Sequence, residues 1–158
     1  KFVIRTMTKR NCCSATVVIT ARTLTVFVHR CAHLALEALR TLPNPRALRL
    51  HLLGAEADPA YTRRLRRLAE GLDVVFHGAY DLDALAAHPA RHAALLLACS
   101  LGHESYGMVL DEALDLGLPW LLPAAGAFQE RAAGQPYARL FAPGDAGALG
   151  AELRRLLE

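Results

Sequence analysis

Cysteine is scarce in this 158-residue chain, and its four residues (Cys12, Cys13, Cys31 and Cys99) contain no C-x-x-C pair. Successive side chains on a strand point to opposite faces, so the adjacent Cys12 and Cys13 would make poor joint metal ligands. None of the seven histidines belongs to an H-E-x-x-H motif. We therefore expect no metal ion and reduced thiols, as in a cytoplasmic protein.

Long apolar runs are also missing. The best candidate, from Cys12 to Val28, is diluted by threonine and carries Arg22, and it falls short of the roughly 20 apolar residues that a membrane span requires. It also lacks the small-residue cleavage site of a signal peptide. We expect a cytoplasmic location. For a full-length protein, peripheral binding at the inner face of the membrane stays open as an alternative.

Acidic residues are absent from residues 1–31, which hold six of the 18 Lys and Arg residues. The rest of the chain has the other twelve basic residues and all 15 acidic ones. A basic arm for nucleic acid is one interpretation. However, the two aromatic residues of this segment, Phe2 and Phe27, do not alternate with the basic ones as a stacking surface needs. We favour a divergent or non-native leading segment, no nucleic-acid partner, and a folded domain over residues 32–158.

From residue 32 onward, strand patterns alternate with helix patterns. Continuous apolar strands that alternate with helices are typical of a parallel sheet covered on both faces. The sequence therefore predicts an α/β, Rossmann-like, three-layer fold. The predicted helices cover residues 32–42, 59–71, 81–89, 107–117, 128–133 and 145–158, and the predicted strands cover 49–54, 74–78, 93–100, 119–123 and 137–143.

Ligands of such sheets bind where strands end and loops lead into helices. This rule points to the loops after Gly54, Gly78 and Ser100. The third of these loops opens the stretch ESYGMVLDEALDLGLP, residues 104–119, in which two glutamates are eight positions apart.

The helix of this stretch is expected to begin at Gly107 and to end before Gly117 and Pro119. Its first amides, with the helix dipole, form a natural phosphate site. Glu112 leans back toward that end and can accept hydrogen bonds from a ribose diol. Glu104 precedes the helix and would face the group attached to the phosphates.

The same helix has a predicted packing face and a predicted water-facing side. Helical spacing places five residues on the face toward the sheet: Val109, Leu110, Ala113, Leu114 and Gly117. Asp111 and Asp115 are expected on the opposite side, toward water.

The spacing Glu104 to Glu112, in this setting, resembles the Glu-seven-Glu signature of the retaining glycosyltransferases with the two-domain GT-B fold. The similarity extends over residues 32–158 and includes GAFQE, residues 126–130, and the ending APGDAGALGAEL. The order of elements is that of the family's C-terminal, donor-binding domain.

The resemblance implies a role for each matching residue. Glu112 would hold the ribose, the amides of Met108 and Val109 the diphosphate, and Glu104 the transferred sugar. The other substrate-binding positions would be Ser105, Tyr106 and Gly107 of the motif, the backbone of Gly78, Ala79 and Tyr80 beside the nucleobase, and Gly54. A nucleoside diphosphate sugar would be the substrate, and no cofactor would be needed.

The chain departs from the family pattern ahead of the first helix. Family members place an Arg and a Lys-Gly there to neutralise the leaving phosphate, whereas this sequence has Arg30 and Cys31 at the Lys-Gly position. Arg30 is thus the candidate cation. Because the family's acceptor-binding N-terminal domain has no counterpart here, we expect this chain alone to be inactive.

Two other functions remain open at this stage. A sugar-nucleotide 2-epimerase shares the two-domain architecture, although it has no need of the Glu104 to Glu112 spacing. A non-catalytic nucleotide-binding module is favoured if Arg22 and Arg30 lie far from the site.

Overall fold

The computed structural model describes residues 23–27, 31–56, 58–80, 87–88, 92–101 and 104–157, with residues 23–27 described by their backbone. Six parallel strands form one sheet in the order β3-β2-β1-β4-β5-β6. The strands are β1 (Thr23–Phe27), β2 (Arg49–Leu53), β3 (Asp73–Gly78), β4 (Leu95–Leu97), β5 (Trp120–Pro123) and β6 (Ala138–Phe141).

Five helices of the described residues connect or follow these strands: α1 (Ala32–Arg40), α2 (Pro59–Ala69), α3 (Val109–Asp115), α4 (Gly126–Ala132) and α5 (Ala146–Arg155). The helix predicted over residues 81–89 falls mostly outside the described residues. Within the part of the chain that the structure describes, no helix combines the length and apolarity needed to cross a membrane.

The helices cover both faces of the sheet, which confirms the predicted three-layer α/β fold. On one face Leu50 and Leu52 of β2 pack in a core with α1 and α5. On the other face Leu53 packs in a second core that includes Leu110 of α3 and Phe128 of α4. Successive strand residues point to opposite faces, so β4, whose three residues are all leucine, supplies both cores.

The centre of the sheet contains a strand from the segment that the sequence analysis set apart. β1 pairs along its length with β2 and also with β4. The predicted domain start at residue 32 therefore excludes a strand that the structure places in the sheet. Composition misleads here because threonine, which dilutes the apolar character of this segment, is itself a good strand former.

Two helices begin with an aspartate cap. The side chain of Asp145 accepts from the N–H of Ala148 at 2.9 Å and caps α5. Asp58 does the same for α2, where Pro59 occupies the first position. These caps satisfy amides that have no partner within the helix.

Three histidines form a cluster beside the carboxyl end of β3. His51 Nδ1 lies 2.6 Å from His77 Nε2, and the two rings stack at 4.8 Å. His88 packs edge-on against His77 at 4.6 Å. In the described part of the chain, no group of His, Cys, Asp or Glu side chains is arranged to hold a metal ion.

Burial and neighbouring positive charge disfavour protonation in this cluster. Burial, followed by the charges of His77 and Arg49, lowers the pKa of His51 from 6.5 to about 4. Desolvation also lowers the pKa values of His77 and His88. Arg49 and Asp73, which form an ion pair at the start of β2 and β3, act on His51 in opposite directions.

We therefore predict that acid destabilises the fold through these histidines. The unfolded chain binds the protons more readily, so stability is complete above about pH 6.5 and falls as the pH drops toward 4. One such proton corresponds to a slope of up to ~1.4 kcal/mol per pH unit. Urea unfolding between pH 7 and 4 measures the slope.

The matched variants are His51→Leu, which suits a strand already lined with leucine, and His92→Gln, which changes an exposed histidine. His51→Leu should flatten the dependence on pH, and His92→Gln should leave it unchanged. Equal slopes for His51→Leu and the parent chain would refute the prediction.

Candidate functional site

The carboxyl edge of the sheet carries the candidate site. The strand order reverses between β1 and β4, which are neighbours although α1, β2, α2 and β3 separate them in the chain. In doubly wound sheets this reversal opens a crevice at the carboxyl ends of the strands. The loop that follows β4 leads through Glu104 to Gly107 and into α3.

The loops after β2 and β3 meet at the same edge. The N–H of Gly54 donates to the carbonyl oxygen of Gly78 at 2.6 Å. Ala79 is exposed, while Tyr80 is half-buried against the second core. Gly54, Gly78, Ala79 and Tyr80, all predicted as site residues, are thus brought together by the structure.

Tyr80 joins this group to the glutamate motif. Its hydroxyl donates to Oε2 of Glu112 at 3.0 Å, across 32 positions of sequence. The contact places the helix glutamate directly beside the loop after β3. It also gives Tyr80 a polar role in addition to its packing against the second core.

Helix α3 buries a narrower face than predicted. Val109, Leu110 and Ala113 are buried, but Leu114 is 46% exposed, so the prediction that it packs on the sheet is wrong. The helix ends at Asp115, and the N–H of Gly117 already closes on the carbonyl of Leu114. The helix also starts at Val109 and not at Gly107, so it has seven residues, and the residues that it buries are Val109, Leu110 and Ala113.

Gly107 is held in place by two physical requirements. Its φ angle of +70° is one that residues with a side chain rarely adopt. In addition, a Cβ at this position would lie 2.8 Å from the ring of Phe128 in α4. Glycine is therefore needed for the turn itself, independently of any ligand.

Arg131 of α4 was not identified as a site residue from the sequence. Its guanidinium donates to the carbonyl oxygens of Tyr106 at 3.2 Å and Gly107 at 3.1 Å. It also pairs with Asp111 at 2.5 Å and lies 4.9 Å from the centre of the Tyr106 ring. Asp111, which the sequence analysis placed toward water, is thus the ion-pair partner of Arg131. The sequence feature that was overlooked is an arginine one helical turn after Ala127, on the helix that contacts the motif.

The remaining motif residues line the turn that precedes α3. The carbonyl of Glu104 accepts from the N–H of Ala127 at 2.9 Å, and the side chain of Glu104 is half-buried. Ser105, Tyr106 and Met108 are exposed, with Met108 48% exposed. Val109 is buried, so only its backbone is available to a ligand.

The predicted phosphate-binding groups are Arg30 and the amides at the start of α3. Arg30 lies outside the described residues. Cys31 precedes α1 and is buried, and burial raises the pKa of its thiol. Among described backbone groups, no carbonyl accepts from the N–H groups of Gly107, Met108 or Val109.

Two solved structures are similar to this chain. Sucrose-phosphate synthase from Thermosynechococcus elongatus matches with a TM-score of 0.65 and 25% identity, over 85% of this chain and 35% of the other. HepE of Anabaena in complex with UDP matches with a TM-score of 0.68 and 20% identity, over 86% and 39%. The chain therefore spans less than half the length of both.

A search of the curated proteins found no significant match. The sequence does match the family described as glycosyl transferases group 1, over residues 15–158. The match begins inside the segment that the composition set apart, as does the sheet. Because it extends over most of the sequence, this chain belongs to the glycosyl transferases group 1 family.

Proposed function

We propose that this chain is the donor-binding domain of a glycosyltransferase that moves a sugar from a nucleoside diphosphate sugar to an acceptor with retention of the anomeric configuration. The observation that carries the proposal is the hydrogen bond from Tyr80 to Glu112. It joins the loop after β3 to the glutamate motif, so groups suited to a nucleobase and to a ribose are adjacent.

The ribose end of the site is assigned to Glu112. An ionised carboxylate has several lone pairs, so one oxygen can accept from Tyr80 while the carboxylate still accepts from ribose hydroxyls. The backbone of Gly78 and Ala79, next to Tyr80, is then placed at the nucleobase. Gly54, directly after the neighbouring strand β2, donates a hydrogen bond to Gly78 and so supports this backbone.

The diphosphate end is assigned to the turn before α3. The N–H groups of Met108 and Val109 are the proposed donors, and Gly107 lets the backbone approach the anion closely. Arg30 is the proposed cation for the leaving phosphate. With amides and an arginine to balance the charge, the reaction needs no metal ion.

The transferred sugar is assigned to Glu104, which lies in the same loop ahead of the amides, with Ser105 and Tyr106 beside it. Its carboxylate can accept hydrogen bonds from sugar hydroxyls. The acceptor is assigned to a second domain, which the chain's coverage of 35% and 39% of its two structural neighbours supports. The UDP complex of HepE supports a nucleoside diphosphate as the ligand class.

The first test is nucleotide affinity, with UDP, ADP and GDP titrated into the chain by calorimetry. We expect Glu112→Ala to weaken binding by about ten- to hundredfold, because hydrogen bonds to a charged group are worth ~1.5–3 kcal/mol. Asp115→Ala is the matched control, since it removes an exposed carboxylate from the same helix.

Tyr80→Phe removes the hydroxyl that orients Glu112 but leaves the charge of Glu112 in place. We expect a smaller loss than for Glu112→Ala, and no further loss when the two changes are combined, because Tyr80 acts through Glu112. Unchanged affinity in Glu112→Ala would refute the ribose role. If the parent chain binds none of the three nucleotides, the proposed function itself is wrong.

A second prediction concerns turnover. We expect the chain by itself to bind nucleotide without sustained transfer, because positioning of an acceptor against the anomeric carbon supplies much of the rate of such reactions. The measurement follows nucleotide release from candidate nucleotide sugars in the presence of acceptors. Sustained release by the 158-residue chain would contradict this expectation.

A further inference from the structure

Helix α4 contacts the turn before α3 at three points along its length. The N–H of Ala127 donates to the carbonyl of Glu104, the ring of Phe128 packs against Gly107, and Arg131 donates to the carbonyls of Tyr106 and Gly107. Phe128 and Arg131 are three positions apart and share one side of the helix. The whole turn therefore rests on α4.

Arg131 makes the polar side-chain part of this contact, and several partners hold its guanidinium in place. Its side chain is 23% exposed and its guanidinium pairs with Asp111 at 2.5 Å. The Tyr106 ring covers it at 4.9 Å. Asp111 belongs to α3, so the same arginine ties the turn to the helix that carries Glu112.

The two carbonyl contacts help to set the direction of two amides; the Gly107 carbonyl also accepts from the N–H of Leu110 at 2.9 Å. In a trans peptide the C=O and N–H groups point to opposite sides of the same plane, and no cis peptide bond occurs among the described residues. The peptide whose oxygen belongs to Tyr106 carries the N–H of Gly107, and the next one carries the N–H of Met108. Both N–H groups therefore point away from Arg131, on the same side of the turn.

Consecutive amides aimed to one side form a concavity that binds anions. The positive φ of Gly107 followed by the helical backbone of Met108 has the alternation of hand that such a concavity needs. We propose that Arg131 is a positioning residue: it holds the Tyr106 and Gly107 carbonyls so that the amide of Met108, one of the two proposed phosphate donors, and the adjacent amide of Gly107 face the phosphates of the nucleotide sugar. This inference rests on the proposed function.

Arg131 would act without touching the phosphates, and this separates it from a phosphate-binding cation. Its charge is already balanced by Asp111, and its N–H groups are directed to Asp111 and the two carbonyls. A lysine would keep the charge but has no planar fork that could hold these acceptors together. Arg131→Lys therefore distinguishes the two roles.

The experiment compares UDP with uridine, which lacks the phosphates, by NMR titration of the 158-residue chain. We expect Arg131→Gln to weaken UDP binding about tenfold, because hydrogen bonds to a charged group are misaligned, and to leave uridine binding within about twofold. Arg131→Lys should fail to restore UDP affinity. Arg155→Gln, which removes an exposed positive charge elsewhere, is the control for net charge and should change neither ligand.

Each alternative result has a distinct meaning. Equal losses for UDP and uridine would show a general structural role and overturn the proposal, as would unchanged UDP affinity in Arg131→Gln. Full recovery in Arg131→Lys would show that charge, not positioning, is what matters. If UDP does not bind the parent chain, the proposed function fails for this nucleotide and the positioning role toward it fails too.

Discussion

Parallel strand pairing is the constraint on which the rest of this structure depends. Because all six strands run the same way, every strand-to-helix loop emerges at one edge of the sheet. Gly54, Gly78 and the Glu104–Gly107 turn lie at or after the ends of three different strands, β2, β3 and β4, yet they share that edge. In doubly wound sheets, a reversal of strand order such as the one between β1 and β4 marks the edge position where ligands bind.

The site itself is assembled by a few long-range contacts. The Tyr80 hydroxyl joins β3 to α3, and Arg131 joins α4 to both the turn and α3. The residues that each contact joins are far apart in the sequence. Each contact connects a loop at the carboxyl edge of the sheet to a helix. The geometry of the proposed donor site therefore depends on α4 as much as on the glutamate motif.

The sequence predicted the fold well because local signals agreed with one another. Apolar strands and the glycine and proline stop after α3 indicated where elements begin and end, and they did so within a few residues. Contacts at long range could not be predicted. The pairing of Tyr80 with Glu112 and of Arg131 with Gly107 depends on how loops meet in space. Leu114 was placed wrongly because the width of the face that α3 buries depends on what packs against it.

The central position of β1 has a consequence for how the chain folds during synthesis. β1 leaves the ribosome before the other five strands that the structure describes, so both of its neighbours in the sheet are made later. It must therefore wait, with two unpaired edges, until β2 and then the much later β4 arrive. A chain that began at Ala32 would instead form two separate ribbons with four open edges, which is the arrangement that invites aggregation.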